Sequence, residues 1–460
     1  MKRILTRSSL VLIVSLAFFA GLLLLMFRVV TQNGSWVQQA YNGHMASSNG
    51  LAQAGSITDR DGTVLAYTDE NGERVYHADT DTRTALLHVV GDNSLNISTA
   101  IQSNYRTELT GYSFLLGLGL PNSLRTNNNV TLTVSAAASR AAYVALGSHD
   151  GACVIYNYKT GEILCSTSTP GYDPQYPPEI TEENEQEYDG VYLDNVMSAS
   201  FTPGSTFKII TAASAIENIP DIYTRTYTCT GEIEIGGSKI TCEENHGTLS
   251  FEEAFTHSCN TAFAQIAVEL GANKLTATAE ELGFNKRFDV GGIQMIESSF
   301  ELKGADENQL AWSGIGQYND LANPLHMAML CGSVVNDGVA TDPVIVSDTG
   351  NILRRFGISL DGIGTKMLSA ETSVKVGDLM RSAANYYYNA RGVNLAGLDF
   401  CAKTGTAEVG EDKEPTAWFV GYTEDSDHPY AFAAVVVEGG YGIDTSASVV
   451  EAAMAALVYG

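Results

Sequence analysis

Positive charge is scarce in this chain: 26 Lys and Arg stand against 53 Asp and Glu, for a formal net charge of −27. Such a field repels phosphate backbones and anionic headgroups, which argues against nucleic acid as a partner. Proline is sparse at 11 residues, and no internal repeat is visible. With 44% apolar residues, the 460-residue chain reads as globular and long enough for two or three domains. Cysteine is limited to seven, an odd number, so at least one is unpaired within the chain. Cys153 and Cys165 flank a hairpin turning near Lys159-Thr160-Gly161, and Cys229 and Cys242 flank another turning at Gly236-Gly237. Each pair could form a disulfide in an oxidising compartment or stay as two small buried thiols. No carboxylate or cysteine spacing completes a zinc set around His246 or His257, which therefore read as local hydrogen-bonding residues.

One long apolar run is present. Leu10 to Phe27 carries no charge and follows Lys2, Arg3 and Arg7. As a helix it would be about 27 Å long, close to the ~30 Å of a bilayer core. Its basic flank favours a cytoplasmic N-terminus, and no small-x-small cleavage site stands out before Arg28. Residues 1–30 are therefore expected to be a cytoplasmic tip and a single transmembrane signal anchor, with the remainder outside the cytoplasm. A cleaved secretory signal would deliver the rest to the same side.

Residues 31–129 are polar, with short strand-like pieces such as "AGSITDRDGTVLAYT", turns at "NGSW" and "YNGH", and one amphipathic stretch near Asn93 to Leu109. They read as a small extracellular module ending in "LPNSLRTNNNV". From residue 130 the pattern changes to a helix, then a hairpin over "GACVIYNYKTGEILCSTS". Near the other end, "FCAKTGTAEV", "AWFVGYT" and "YAFAAVVVE" read as three strands before a last helix. Two early strands and three late ones predict a five-stranded antiparallel sheet flanked by helices, with an inserted helical segment from Pro203 to about Asn285. The expected class is α/β, with the cleft where insert meets sheet edge.

Within that insert, "PGSTFKIITAASAI" places Lys208 one turn after Ser205 in an otherwise apolar helix. Residues three apart on a helix share a face, and Pro203-Gly204 put Ser205 in the first turn, where backbone N–H groups are free to stabilise an oxyanion. A serine needs a base, and a lysine serves only when neutral. Lowering its pKa from ~10.4 to ~7 takes roughly 4 to 5 kcal/mol, which burial can supply. An isolated Ser-x-x-Lys is usually a capping serine beside a snorkelling lysine, so further motifs are needed. "HSCN" supplies Ser258 and Asn260, a hydroxyl and an amide at a helix start, although Ser-x-Asn also occurs at Ser47 and Ser94. "KTGTAEV" supplies Lys403, Thr404, Gly405 and Thr406 on a strand, where a cation and hydroxyls can hold a carboxylate and glycine admits substrate backbone. The earlier Lys159-Thr160-Gly161 copy lies in a hairpin turn and reads as turn chemistry.

Ser-x-x-Lys, Ser-x-Asn and Lys-Thr-Gly, in that order, resemble the signature set of penicillin-binding proteins and serine β-lactamases, and in particular the monofunctional class B penicillin-binding proteins. "AWFVGY", "GIGQ" and the early "GSITDRDGTVLA" add to the resemblance, which covers residues 130–460 as the transpeptidase domain. Two positions depart from it: Ala54 where arginine is usual, and Tyr318 where glycine is common. The resemblance implies that Ser205, activated by Lys208, attacks the D-Ala-D-Ala end of a peptidoglycan stem peptide, with the Ser205 and Thr406 amides holding the oxyanion. Ser258 would relay the proton, Asn260 would orient the donor amide, and Lys403, Thr404 and Thr406 would bind the terminal carboxylate beside Gly405. A neighbouring stem then takes the acyl group, and β-lactams acylate the same serine. The implied partners are lipid-linked precursor, membrane and other cell-wall synthesis proteins serving division or cell shape, with no metal or organic cofactor. A D,D-carboxypeptidase or β-lactamase shares every motif; a β-lactam sensor or a non-catalytic scaffold is the reading from a different class.

Overall fold

The structure is a computed structural model that describes residues 2–31, 51, 54–110, 128–349, 364–408, 410 and 413–460. Its centre is an antiparallel sheet in the order Phe400–Ala407, Thr416–Thr423, Tyr430–Val436, Gly151–Asn157, Ile163–Thr169. Both ends of the chain thus build one sheet, as the two early and three late strand patterns predict. All eight residues of Thr416–Thr423 are buried, because helices cover both of its faces. Ala136–Leu146 and Ser446–Tyr459 pack together on one face, and Pro324–Val335 with Ala370–Arg391 on the other. Phe400–Ala407 is an edge strand, and its free edge meets the turn that carries Ser205.

The insert departs from expectation. Helices Lys208–Asn218 and Asn260–Glu281 are present, but four strands at 226–229, 232–235, 238–241 and 247–250 form two short ribbons between them. Alternating Glu-Ile-Glu-Ile and the Gly236-Gly237 turn, both at positive φ, drive the inner ribbon. The inner ribbon is the hairpin expected at Gly236-Gly237, and the outer pairing of 226–229 with 247–250 is the unexpected one.

The N-terminal strands 57–58, 64–68 and 74–76 do not stand alone. They join 130–132 and 346–348 in a second five-stranded sheet, so this sheet takes strands from both sides of residue 129. The Asp59 carboxylate closes the first hairpin on the Asp61 and Thr63 amides and also accepts from the amide of Ala136, at the start of the next helix. The buried Arg74 guanidinium donates to the carbonyls of Ala54 and Gly55, so an arginine from a neighbouring strand serves the segment where Ala54 departs from the family pattern. The amphipathic stretch near Asn93 to Leu109 is broken into helices Ile101–Asn104 and Arg106–Thr110. "NGSW" and "YNGH", and most of "LPNSLRTNNNV", lie outside the described residues.

Lys2–Thr31 is one helix, and its large apolar side chains described between 11 and 26 are all exposed. Among the described residues no helix is long and apolar enough to cross a membrane; the expected span at 10–27 runs past both ends of the described side chains.

Trp418 links sheet and cleft. Its ring is fully buried, edge-on to Phe201, and its indole N–H donates to the Thr202 carbonyl at 2.9 Å, just before the Ser205 turn. Trp418→Ala is expected to cost about 3–5 kcal/mol of unfolding free energy, read as a drop in the denaturant midpoint; an unchanged midpoint would remove this ring from the core.

Candidate active site

Ser205 lies in a 3-10 turn, Gly204–Phe207, that runs directly into helix Lys208–Asn218. The sequence pattern suggests an α-helical first turn; the tighter 3-10 geometry has three residues per turn and eclipses positions i and i+3. Ser205 therefore sits directly over Lys208, and Lys208 Nζ is 3.0 Å from Ser205 Oγ. The turn lies so close to the edge strand that only glycine fits at 204: its φ is +52°, and a Cβ there would lie 2.6 Å from the Thr406 carbonyl oxygen. Gly405 answers it from the strand, where a Cβ would meet the Pro203 carbonyl at 2.7 Å.

Ser258 and Asn260 come from a junction between two helices. Helix Phe251–Thr256 ends with the Ser258 N–H bonded to the Phe255 carbonyl and the Cys259 N–H to the Ala254 carbonyl. That pair of bonds is the Schellman arrangement, whose first residue past the cap takes the left-handed conformation that glycine usually supplies. Here it is Ser258, with φ 55°. Cys259 then caps helix Asn260–Glu281. A non-glycine residue held in this region is strained, and such strain persists only where the surroundings enforce it.

The side chains meet at Lys208. Besides Ser205 Oγ, its Nζ lies 2.5 Å from the Ser258 carbonyl, 2.7 Å from Asn260 Oδ1 and 3.1 Å from Ser258 Oγ. Lys403 Nζ reaches the same hydroxyl, 3.0 Å from Ser258 Oγ, and also the Thr404 carbonyl at 3.0 Å. Ser258 Oγ thus bridges two amines. Asn260 Nδ2 donates to the Thr241 carbonyl at 3.0 Å, which sets the amide so that its oxygen faces Lys208. Both lysines are wholly buried, Lys208 over the Phe263 ring and Lys403 over that of Phe255. Burial pushes Lys208 down to about 7, and the charge of Lys403 adds to the fall. Burial lowers Lys403 to about 7 as well, against the pull of Glu243.

Counting donors shows what a neutral Lys208 has to offer. A neutral amine has two N–H bonds and one lone pair. The Ser258 carbonyl and Asn260 Oδ1 can only accept, so they take the two N–H groups. The lone pair is left for a hydroxyl hydrogen, and Ser205 Oγ stands within reach.

Ser205, Ser258, Asn260 and Thr406 open onto one cleft of about 310 Å³, with Gln317 and Trp312 on its wall. Thr404 is placed differently: its N–H and hydroxyl both bond to the Tyr387 hydroxyl, at 3.3 and 2.9 Å. Because alternate residues of a strand point their amides the same way, the Thr406 amide faces the free edge too, toward Ser205. Tyr387 was missed in the sequence, yet its signal existed. Within "NYYYN" it continues the buried series Val376, Met380, Ala383 of its helix, while Tyr386 and Tyr388 are exposed. Tyr318 takes a φ of +77°, which accounts for glycine being common at that place. One expectation is overturned: cysteines do gather around His246, since Cys229, Cys242 and Cys259 all approach it. The seven cysteines are free thiols, so neither hairpin pair is a disulfide.

Residues 151–455 match the family model described as the penicillin binding protein transpeptidase domain. The chain is 30% identical over 336 residues to the peptidoglycan D,D-transpeptidase PbpA of Mycolicibacterium smegmatis, with 68% of each covered. The crystal structure of the Mycobacterium tuberculosis protein PBPA superposes with a TM-score of 0.75 at 27% identity, over 88% of this chain and 99% of that one. A ceftriaxone acyl-enzyme complex of penicillin-binding protein A from M. tuberculosis gives 0.73 at 26% identity, covering 88% and 98%.

The buried amine dictates a pH dependence. Burial and Lys403 lower Lys208, while Cys242, Cys259 and Glu243 pull the other way. Proton loss from Lys208 creates the lone pair, so the rate at which Ser205 is acylated should rise with pH through about 7. Stopped-flow acylation rates that stay flat through neutrality would exclude a titrating Lys208.

Proposed function

The chain belongs to the penicillin-binding protein transpeptidase family, and from that premise we propose how its residues divide the work of a peptidoglycan D,D-transpeptidase. Neutral Lys208 takes the Ser205 proton as Oγ attacks the carbonyl of the penultimate D-alanine in the donor stem. The tetrahedral oxyanion is met by the Ser205 and Thr406 amides, the geometry that favours charge developing only in the transition state. Ser258, hydrogen-bonded to both amines, passes a proton to the nitrogen of the leaving D-alanine. Glu243 favours the charged form of both lysines, while the charge of Lys403 lowers Lys208 further; Lys403 and Thr406 receive the terminal carboxylate of the donor. Thr404 supports that end through Tyr387, and Gly405 leaves the strand edge open to substrate backbone. An acceptor amine then attacks the acyl-enzyme, and the proton path runs in reverse. A β-lactam presents the same carbonyl and carboxylate and acylates Ser205.

The observation that carries this division is the Lys208 amine between Ser205 Oγ and two acceptor-only oxygens. A single N-terminal anchor, with the catalytic domain outside the cytoplasm, is part of the same reading. It is supported by the helix Lys2–Thr31, its exposed apolar side chains from 11 to 26 and the basic residues before them. The negative charge of −27 on the whole chain fits neither nucleic acid nor a surface-bound mode on anionic lipid.

Fluorescent penicillin should label the detergent-solubilised protein covalently, and Ser205→Ala should abolish the label; labelling that persists in the variant would discard Ser205 as nucleophile. Lys208→Met should keep the fold, judged by circular dichroism, and slow acylation by about 10²- to 10⁴-fold. Near-normal acylation would remove Lys208 as the base. Incubation with lipid-linked donor and acceptor should yield cross-linked dimers; trimmed monomers alone would favour a carboxypeptidase.

A further inference from the structure

Four side chains with no part in the acyl transfer converge beside the Ser258–Asn260 junction. Cys229 ends one strand of the two-ribbon insert, Cys242 follows a second, His246 precedes a third, and Cys259 is the middle residue of Ser-x-Asn. Their donor atoms all lie within 4.8 Å of one another. His246 Nδ1 is 3.6 Å from Cys229 Sγ and 3.5 Å from Cys242 Sγ. Tetrahedral zinc, with Zn–S of ~2.3 Å and Zn–N of ~2.05 Å, requires sulfur–nitrogen separations of about 3.6 Å. The geometry already has that spacing.

We propose that Cys229, Cys242, His246 and Cys259 form a closed structural zinc site that holds the Ser258–Asn260 junction against the two-ribbon insert. Three thiolates and an imidazole are the soft and borderline ligands that zinc selects, and with four protein ligands no position stays open for substrate or water. Binding releases the three thiol protons to solvent. A second shell is in place: the Asn260 backbone N–H donates to Cys242 Sγ at 3.3 Å, and Thr261 Oγ1 lies 3.3 Å from Cys259 Sγ. A Cys229–Cys242 disulfide would need the sulfurs ~2.05 Å apart and would leave Cys259 and His246 converging on nothing.

The site acts on the reaction through position. Cys259 lies between Ser258 and Asn260, next to the strained left-handed residue. The bond from Asn260 Nδ2 to the Thr241 carbonyl joins the residue after one ligand to the residue before another. Fixing Cys242 and Cys259 on one ion therefore fixes the amide that faces Lys208. The four ligands act as positioning residues; Cys242 and His246 also stand on the wall of the cleft, where the metal would occupy their donor atoms.

Full-length protein purified in detergent without chelator should carry about one zinc ion per chain, measured by plasma mass spectrometry, and Cys229→Ser and His246→Ala should lose it. After chelation and loading with Co²⁺, wild type should show thiolate-to-cobalt charge transfer and intense tetrahedral d–d bands, which cysteines serving only as core packing would not give. Removing zinc from wild type should slow penicillin acylation about 10-fold, with recovery when zinc is returned. If the variants do not fold, the wild-type metal content and cobalt spectrum decide. Wild type that holds no zinc and gives no cobalt spectrum overturns the proposal. So does a disulfide, seen as two fewer than the seven thiols of the sequence on titration of unfolded, chelated protein. Loss of penicillin labelling with zinc still bound would count against the transpeptidase roles and leave the metal site standing.

Discussion

The amine of Lys208 is wholly buried against four oxygens that come from three residues, Ser205, Ser258 and Asn260. Burying an amine is costly unless it is neutral or fully hydrogen-bonded, and this one is arranged to be both. The two acceptor-only oxygens take its two N–H groups, which leaves the lone pair for Ser205. The packing that removes water from this amine therefore also lowers its proton affinity. The Phe263 ring, 5.7 Å from the amine, is part of that packing.

Holding the Ser205 turn and the Ser258–Asn260 junction at one nitrogen demands rigid supports, and each support has a visible cause. The 3-10 turn stacks Ser205 over Lys208. Glycines 204 and 405 let that turn lie against the edge strand, and Trp418 ties the preceding residue to the sheet centre. The opposite wall is the strained Ser258 junction, held by a Schellman pair of bonds and, in our proposal, by a metal on Cys259. Lys403 approaches from behind through a shared hydroxyl, and its charge lowers the proton affinity of Lys208. The site is thus a point where an edge strand, a tight turn and a helix junction constrain one another.

Much of the fold was legible because its strands are written in local pattern. Alternating and β-branched runs at both ends of the chain give the central sheet, and the turn at Lys159-Thr160-Gly161 gives its hairpin. Of the two ribbons at 226–250, the inner one is legible in its Gly236-Gly237 turn, and the outer one is less so because 226–229 and 247–250 pair across it. The N-terminal strands looked like a separate module because pairing of 57–58 with 130–132 and 346–348 leaves no local trace. In the site, every motif residue lines the cleft or backs onto it, but Thr404 turned to Tyr387, a partner some 17 positions away in sequence.

The sequence by itself determined which chemical groups are available and in what order: a serine three residues before a lysine in an apolar helix, a Ser-x-Asn at a helix start, and a lysine beside glycine on a strand. Those are local facts, set by helix and strand period. Tertiary structure alone decided that these groups share one nitrogen and one hydroxyl, that Tyr387 stands behind the strand, and that cysteines 229, 242 and 259 surround His246. The reason is that distances between segments far apart in sequence are fixed by packing of the whole core. Spacing along the chain showed Cys229 and Cys242 as one hairpin's flanks, and only the folded core brings the third sulfur and the imidazole to them.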